Sequence, residues 1–155
     1  MSKPKSHLHT IVAIEADDTL SIRQQVLRPN LAVDQCRFVG DEHASTFHIG
    51  AFEGNLLIGV ATMMIDRSPE LDEIADVHYR LRGMAMLPEY RNQGLGGAIL
   101  QACLDEVRER DCRLCWCNAR VTAAKFYTAA GFSNASETPY EIADVGPHFL
   151  MYKQL

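Results

Sequence analysis

The chain has 155 residues, is 47% hydrophobic and carries a formal net charge of −5 with a pI of about 5.6. That length predicts one domain, residues 1–155, able to bury a sizeable core, and the acidic balance lacks the basic excess or stripe of a nucleic-acid binder. No apolar run approaches the roughly 18 residues of a membrane span. Residues 1–10 are polar, without the apolar region of a secretory signal, so residues 1–8 are expected to be flexible and the setting cytoplasmic.

The cysteines are Cys36, Cys103, Cys112, Cys115 and Cys117. Their odd number and the missing export signal predict reduced thiols. Cys112-x-x-Cys115-x-Cys117 has no second Cys or His pair at matching spacing, and Cys115 and Cys117 share one face of an expected strand. Buried thiols are expected there rather than a metal site.

In chain order, residues 9–14 alternate β-branched and small side chains and predict a first strand. Asp17, Asp18 and Thr19 are N-cap candidates for a helix over 20–27, which Pro29 ends. A short helical turn is expected within 31–38. Residues 46–52 and 56–65 read as a β-hairpin around Glu53-Gly54-Asn55. A loop with Pro69 follows over 67–72, and 77–86 predicts a long strand. Gly83 interrupts its alternation, as at a bulge or a close backbone approach.

Pro88 cannot donate to a sheet ladder, and Arg91, Gly94, Gly96 and Gly97 then lead into a helix. Its apolar stripe is Leu95, Ile99, Leu100, Cys103, Leu104 and Val107. Glycines in a first helical turn uncover backbone N–H groups that lack partners, and those groups and the helix dipole favour an anion. A cation such as Arg91 at that end is unfavourable unless an anion lies between. The stretch therefore reads as a phosphate or pyrophosphate cradle. It is not a Rossmann turn, because Ile99 stands where the third glycine would be, nor a Walker loop, because no Gly-Lys-Ser/Thr occurs.

Residues 113–117 predict a short strand. Residues 118–122 turn into a further helix, with Asn118 and Thr122 as caps and Gly131 closing it. Final strands are expected at 140–142 and 148–152, joined by Asp144-Val145-Gly146-Pro147. The order of elements predicts an α/β fold with a mixed sheet of about six or seven strands and helices on both faces.

Two motifs now resemble a family. Arg91-Asn92-Gln93-Gly94-Leu95-Gly96 is similar to the Arg/Gln-x-x-Gly-x-Gly/Ala signature of the GNAT superfamily of N-acetyltransferases. Asn118, followed by Phe126-Tyr127-Thr-Ala-Ala-Gly131-Phe132, is similar to its second signature, in the same order and separation. The resemblance covers about residues 9–154, and the tail, with Tyr140-Glu141 and Gly146-Pro147-His148, also looks like a small bacterial ElaA-like branch. It implies a single-domain GNAT-like fold in which two central parallel strands splay apart. It also implies acetyl-CoA as co-substrate, no metal, and an amine acceptor that is a small molecule or a protein. Family members are often dimers, so a homodimer is within expectation.

By resemblance, Gln93, Gly94, Leu95, Gly96 and Gly97 offer N–H groups to the pyrophosphate, with Arg91 and Asn92 beside them. The pantetheine arm runs along Met84, Ala85 and Met86, where a backbone N–H would polarise the thioester carbonyl. Asn118 and Phe126 belong to the coenzyme site, and Tyr127 protonates the departing thiolate. Many relatives place a Glu base on the long strand. Here that strand carries His78 and Arg80 instead. His78 titrates in a suitable range and is the candidate base, with Glu73, Asp76, Glu141 and His148 as other candidates. The expected activity is direct transfer of acetyl to a primary amine in a ternary complex. The alternative is a non-catalytic coenzyme A sensor on the same fold.

Overall fold

In the computed structural model, residues 8–143 and 145–155 are described. The expectation for residues 1–8 therefore lies outside them for all but Leu8, as does Asp144 of the last connection.

Eight strands are present among the described residues. They are β1 (His9–Ile14), β2 (Phe47–Glu53), β3 (Leu56–Ile65), β4 (Tyr79–Met86), β5 (Leu114–Arg120), β6 (Ser133–Asn134), β7 (Tyr140–Ile142) and β8 (Gly146–Gln154). Their order in the sheet is β1-β2-β3-β4-β5-β8-β6, with β7 also on β8. The sheet is mixed: β4 and β5 are parallel, whereas β1–β2, β5–β8, β6–β8 and β7–β8 are antiparallel. Sequence reasoning missed β6, a strand of two exposed residues with no apolar pattern to announce it.

The chain packs as two compact units, one built from residues up to Thr62 with Gly83–Ala102, the other from Met63–Arg82 with Cys103–Leu155. In the first unit β1 pairs with β2 along its whole length, from His9↔Glu53 to Ile14↔His48. The β2–β3 turn uses Gly54 at φ +57°, a conformation that costs a side chain strain but glycine little. Ile22, Val60 and Ala85 form an apolar cluster, with Ile14, Val26, Leu27, Leu57 and Leu87 packed against it.

The helical region before this hairpin is less regular than its pattern predicts. A 3₁₀ turn at Ala16–Thr19 leads into α1 (Leu20–Ile22), which widens into a π-turn at Arg23–Leu27. The Arg28 N–H closes that turn on the Arg23 carbonyl at 3.0 Å. The side chain of Arg23 is 1% exposed and sits in a buried polar network. It donates to both Asp41 carboxylate oxygens (2.6 and 3.0 Å), to the Cys36 carbonyl (3.1 Å) and to Thr62 Oγ1 (2.7 Å). Its guanidinium lies 3.7 Å from the Phe38 ring centre. His48 completes the network, bonding Thr62 Oγ1 through Nδ1 (2.7 Å) and the Asp41 carbonyl through Nε2 (3.1 Å).

Gly83 stands beside this network. At φ +60° in β4, a Cβ on it would come within 2.7 Å of Phe38 and 3.2 Å of Arg23 Nε. The expected close backbone approach is therefore real, and its partner is the Arg23–Phe38 stack.

In the second unit Leu71, Leu114 and Trp116 form the core, joined by Ile74, Ala75, Leu150 and Tyr152. The β4–β5 ladder consists of two pairs, Tyr79↔Cys115 and Arg80↔Trp116. By contrast, β8 follows β5 over seven pairs, from Leu114↔Gln154 to Arg120↔His148. Helix α2 (Leu95–Glu109) buries all six residues of its predicted stripe. Strand β5 runs to Arg120, beyond the expected end at Cys117, because Ala119 continues the buried parity of Cys115 and Cys117. Asn118 is consequently a strand residue and not a helix cap. The helix after it, α3 (Ala124–Ala129), is entered through a 3₁₀ turn at Val121–Ala123.

Burial pushes the Asp41 carboxyl up, but the Arg23 hydrogen bonds, the Phe38 N–H and the nearby charges of Arg23 and His48 outweigh it and hold the group below its ordinary value. A carboxyl depressed in the folded state stabilises the fold above its unfolded value of about 3.9 and loses that contribution as pH falls through the folded value. Asp41→Asn should cost about 3–5 kcal/mol at pH 7, because it leaves Arg23 buried without a counter-charge. Urea unfolding at pH 7 and pH 3 should show the gap to the native protein narrowing at the lower pH.

Candidate active site

The first unit holds the cradle residues. After β4, a 3₁₀ turn at Pro88–Tyr90 carries the chain to Arg91. Asn92 (φ +62°) and Gly94 (φ +78°) then adopt left-handed conformations and turn it into α2. Left-handed backbone is uncommon outside glycine but is tolerated by Asn. The first helical hydrogen bond runs from the Ala98 N–H to the Gly94 carbonyl at 3.1 Å. The N–H groups of Leu95, Gly96 and Gly97 precede that closed turn and point along the helix axis.

Gly97 reports on what this surface is for. A Cβ on it would meet no protein atom within 4 Å, so nothing in the chain's own packing demands glycine there. Gly94 also faces open space, although its positive φ accounts for it. Leu95 is buried, while Arg91, Asn92, Gln93, Gly94 and Gly97 are exposed and Gly96 is half-buried. The Gln93 amide donates to the Glu89 carbonyl (3.3 Å), which orders the turn. The cradle, with Arg91 in the stretch that enters it, fits a pyrophosphate.

Met84, Ala85 and Met86 close β4. Ala85 belongs to the apolar cluster of this unit. Met86 is half-buried and lies over Gly59, where an added Cβ would fall 2.2 Å from its sulfur. The Leu87 N–H continues the pairing to the Ile58 carbonyl at 2.9 Å.

The second unit holds the remaining candidates. Tyr127 is 9% exposed on α3, edge-on to Phe126 (5.1 Å between ring centres) and to Phe132 (5.5 Å). The Gly131 N–H bonds the Thr128 carbonyl and the Phe132 N–H bonds the Tyr127 carbonyl, each at 3.0 Å, with Gly131 at φ +94°. This is a Schellman cap. It explains physically why the motif needs Gly-Phe four residues after Tyr127: the glycine reverses the chain and the phenylalanine returns to pack on the tyrosine. Burial, reinforced by Cys117, Cys115 and Cys103, drives the Tyr127 phenol well above its ordinary value. It is therefore protonated at neutral pH. Phe126 itself is 37% exposed.

The thiols on this strand are not nucleophiles in waiting. Burial pushes Cys117 up to about 12, and Cys115 is raised well above its ordinary value by the same cause. Cys103 is likewise pushed up to about 12. A thiol must ionise to attack.

His78 is engaged on both sides of its ring. Nδ1 accepts from the Ser68 N–H (2.9 Å), and Nε2 donates to the Ala75 carbonyl (2.7 Å). Asp72 Oδ1 stands 4.0 Å from the same nitrogen, a looser contact than the carbonyl. The ring is 1% exposed. Such an imidazole is neutral and has no lone pair to spare, so its task is to brace the 66–78 connection, whose Asp66 N–H also bonds the His78 carbonyl (3.0 Å). On the same side Arg80 pairs with Asp66 (3.0 Å) over the Trp116 ring, whose indole N–H donates to the Asp66 carbonyl (2.7 Å).

Asn118 accepts from the Tyr140 hydroxyl. His148 is 4% exposed and donates from Nδ1 to the Gly146 carbonyl (2.7 Å). Glu141 is exposed on β7. The Asn118–Tyr140 pair and the Arg80–Asp66–Trp116 set went unread in the sequence, because each joins residues far apart in the chain. Among the described residues, no group of three or more His, Cys, Asp or Glu could hold a metal ion, and no helix is long and apolar enough to cross a membrane.

If the cradle is built for a ligand rather than for packing, filling it with a side chain should cost affinity and not stability. Gly97→Val is expected to leave the thermal midpoint within a few degrees of native. It should weaken acetyl-CoA binding at least about tenfold, the scale of a lost contact worth roughly 1.4 kcal/mol, as read by calorimetry.

Known proteins resemble this chain in sequence and in fold. The sequence profile of the Acetyltransferase (GNAT) family matches residues 8–132. The uncharacterized N-acetyltransferase YitI of Bacillus subtilis (strain 168) is 34% identical over 145 residues, covering 94% of this chain and 95% of YitI. An aminoglycoside 6'-N-acetyltransferase, solved in complex with coenzyme A, superposes with a TM-score of 0.73 at 12% identity, covering 94% of this chain and 96% of that one. Escherichia coli ElaA superposes with a TM-score of 0.67 at 16% identity, covering 94% and 99%. The likeness to ElaA is thus one of fold. With its profile matched over most of its length and a relative aligned nearly end to end, the chain is an acetyltransferase of the GNAT family.

Proposed function

We propose that the protein transfers acetyl from acetyl-CoA to a primary amine by direct attack in a ternary complex, as one acetyltransferase domain. The exposed first turn of α2 supports the donor half of this reading. The N–H groups of Gln93, Gly94, Leu95, Gly96 and Gly97, helped by the helix dipole and Arg91, hold the pyrophosphate. A backbone N–H near Met84 and Ala85 polarises the thioester carbonyl, a contribution of about 3 kcal/mol for a donor of this kind. By the second family signature, Asn118 and Phe126 contribute to coenzyme binding.

The observation that carries the reading is the state of Tyr127. It is buried and protonated, and its phenol gives a proton to the thiolate that leaves as the C–S bond breaks. The raised thiols of Cys115 and Cys117 argue against an acyl-enzyme and so for direct attack. The acceptor is a small-molecule amine or an amine on a protein.

Tyr127→Phe should lower kcat roughly 100-fold, the usual size of an acid–base contribution, while acetyl-CoA affinity persists. Coenzyme A release would be followed with polyamines, aminoglycosides and peptide N-termini as acceptors. An unchanged kcat would remove Tyr127 from the mechanism. Binding of acetyl-CoA without release on any amine would favour a coenzyme sensor.

A further inference from the structure

We propose that Lys153 positions Tyr127, by tying the C-terminal turn of α3 to strand β8. The inference rests on the acetyltransferase reading above, in which Tyr127 is the acid.

Helix α3 has six residues. Isolated helices shorter than about 12–15 residues are marginal in water, so contacts outside α3 fix its place. An acid that protonates a departing thiolate needs its oxygen within hydrogen-bond reach, about 2.6–3.2 Å. A displacement of about 1 Å can cost roughly 100-fold in rate. Whatever anchors α3 therefore sets the aim of Tyr127.

Lys153 meets α3 at its C-terminal end. Its Nζ donates to the Ala130 carbonyl at 2.8 Å. The Ala130 N–H in turn bonds the Tyr127 carbonyl at 3.0 Å, and that carbonyl also accepts from the Phe132 N–H at 3.0 Å. The ammonium and the Tyr127 backbone thus hold Ala130 from its two sides. A cation at this end also faces the last carbonyls of the helix, where the dipole favours positive charge.

The contact is shaped by both partners. Lys153 is half-buried in β8 and stands opposite Cys115 of β5 in the antiparallel ladder. Cross-strand partners share a face of the sheet, so Lys153 lies on the Cys115 side, whose Cys115 and Cys117 also act on the Tyr127 phenol. On the helix side, Gly131 leaves room for the lysine. A Cβ on it would fall 3.0 Å from Nζ and 3.3 Å from Cε. The glycine of the second signature therefore does two things here: it adopts φ +94°, and it admits the Lys153 side chain.

The test uses the full-length protein and the best acceptor from the amine panel. Lys153→Met keeps an unbranched apolar stem but removes the ammonium. It is expected to retain acetyl-CoA affinity by calorimetry and to lower kcat roughly 10-fold, a part of the roughly 100-fold that losing the acid costs. Lys153→Arg, which restores a charged donor, should recover most of that loss. In a Tyr127→Phe background Lys153→Met should have no further effect on kcat, because no acid remains to be misplaced. A purely structural lysine would instead repeat its full effect there. A native kcat in Lys153→Met, or an undiminished effect in the Tyr127→Phe background, would overturn the positioning role and leave the acetyltransferase reading intact. A native kcat in Tyr127→Phe itself would overturn both Tyr127 as the acid and Lys153 as its anchor. Should Lys153→Met not fold, Lys153→Gln, whose amide stops one atom short of the Nζ position, enters the same cycle and is judged by the same outcomes.

Discussion

An α-helix leaves its first N–H groups without partners, and a protein must cap them, bury them or use them. At the start of α2 this chain leaves them uncovered. Pro88 ends the strand, Asn92 and Gly94 bend the backbone through left-handed conformations, and a Cβ on Gly97 would meet open space. The same helix buries Ile99, Leu100, Cys103, Leu104 and Val107, so its open end is held by its own core. A site made of backbone in this way is hard to lose by substitution, except where a glycine acquires a side chain.

In the second unit three buried side chains are fixed by main chain rather than by opposite charges. His78 is held between an N–H and a carbonyl, Trp116 is held by the Asp66 carbonyl, and His148 is held by the Gly146 carbonyl. Neutral partners set tautomers without adding buried charge, whose desolvation is costly. The first unit makes the opposite choice in the Arg23–Asp41 pair. There five hydrogen bonds converge on two charged side chains, four from Arg23 and one from the Phe38 N–H to Asp41.

Much of this was legible in the sequence because it is local. The boundaries of β1 follow from alternation, the start of β3 from the Gly54 turn, the stripe of α2 from its helical period, and the Gly131 cap from one residue type. What was hidden depends on partners distant in the chain. Arg23 lies within a helical pattern, between Ile22 and Val26, and only Asp41 and Thr62 explain why a cation is buried there. His78 looked like a strand histidine free to titrate, until Ser68 and Ala75 were placed on either side of it. Asn118 reads as a possible cap of the next helix, yet the buried parity of β5 passes through it to Ala119. The cradle was legible as an anion site from its glycines, but only its pairing with the second motif named the ligand.

The five free cysteines, all buried, have a consequence for how the molecule can be watched. A thiol reagent meets a reactive sulfur only when the surrounding structure opens, so the rate of labelling reports the frequency of opening rather than the chemistry of the reagent. Cys36 belongs to the first unit and Cys103, Cys112, Cys115 and Cys117 to the second. The chain therefore carries native reporters for each half, and mass spectrometry of the labelled peptides would tell whether the two halves breathe together or one at a time.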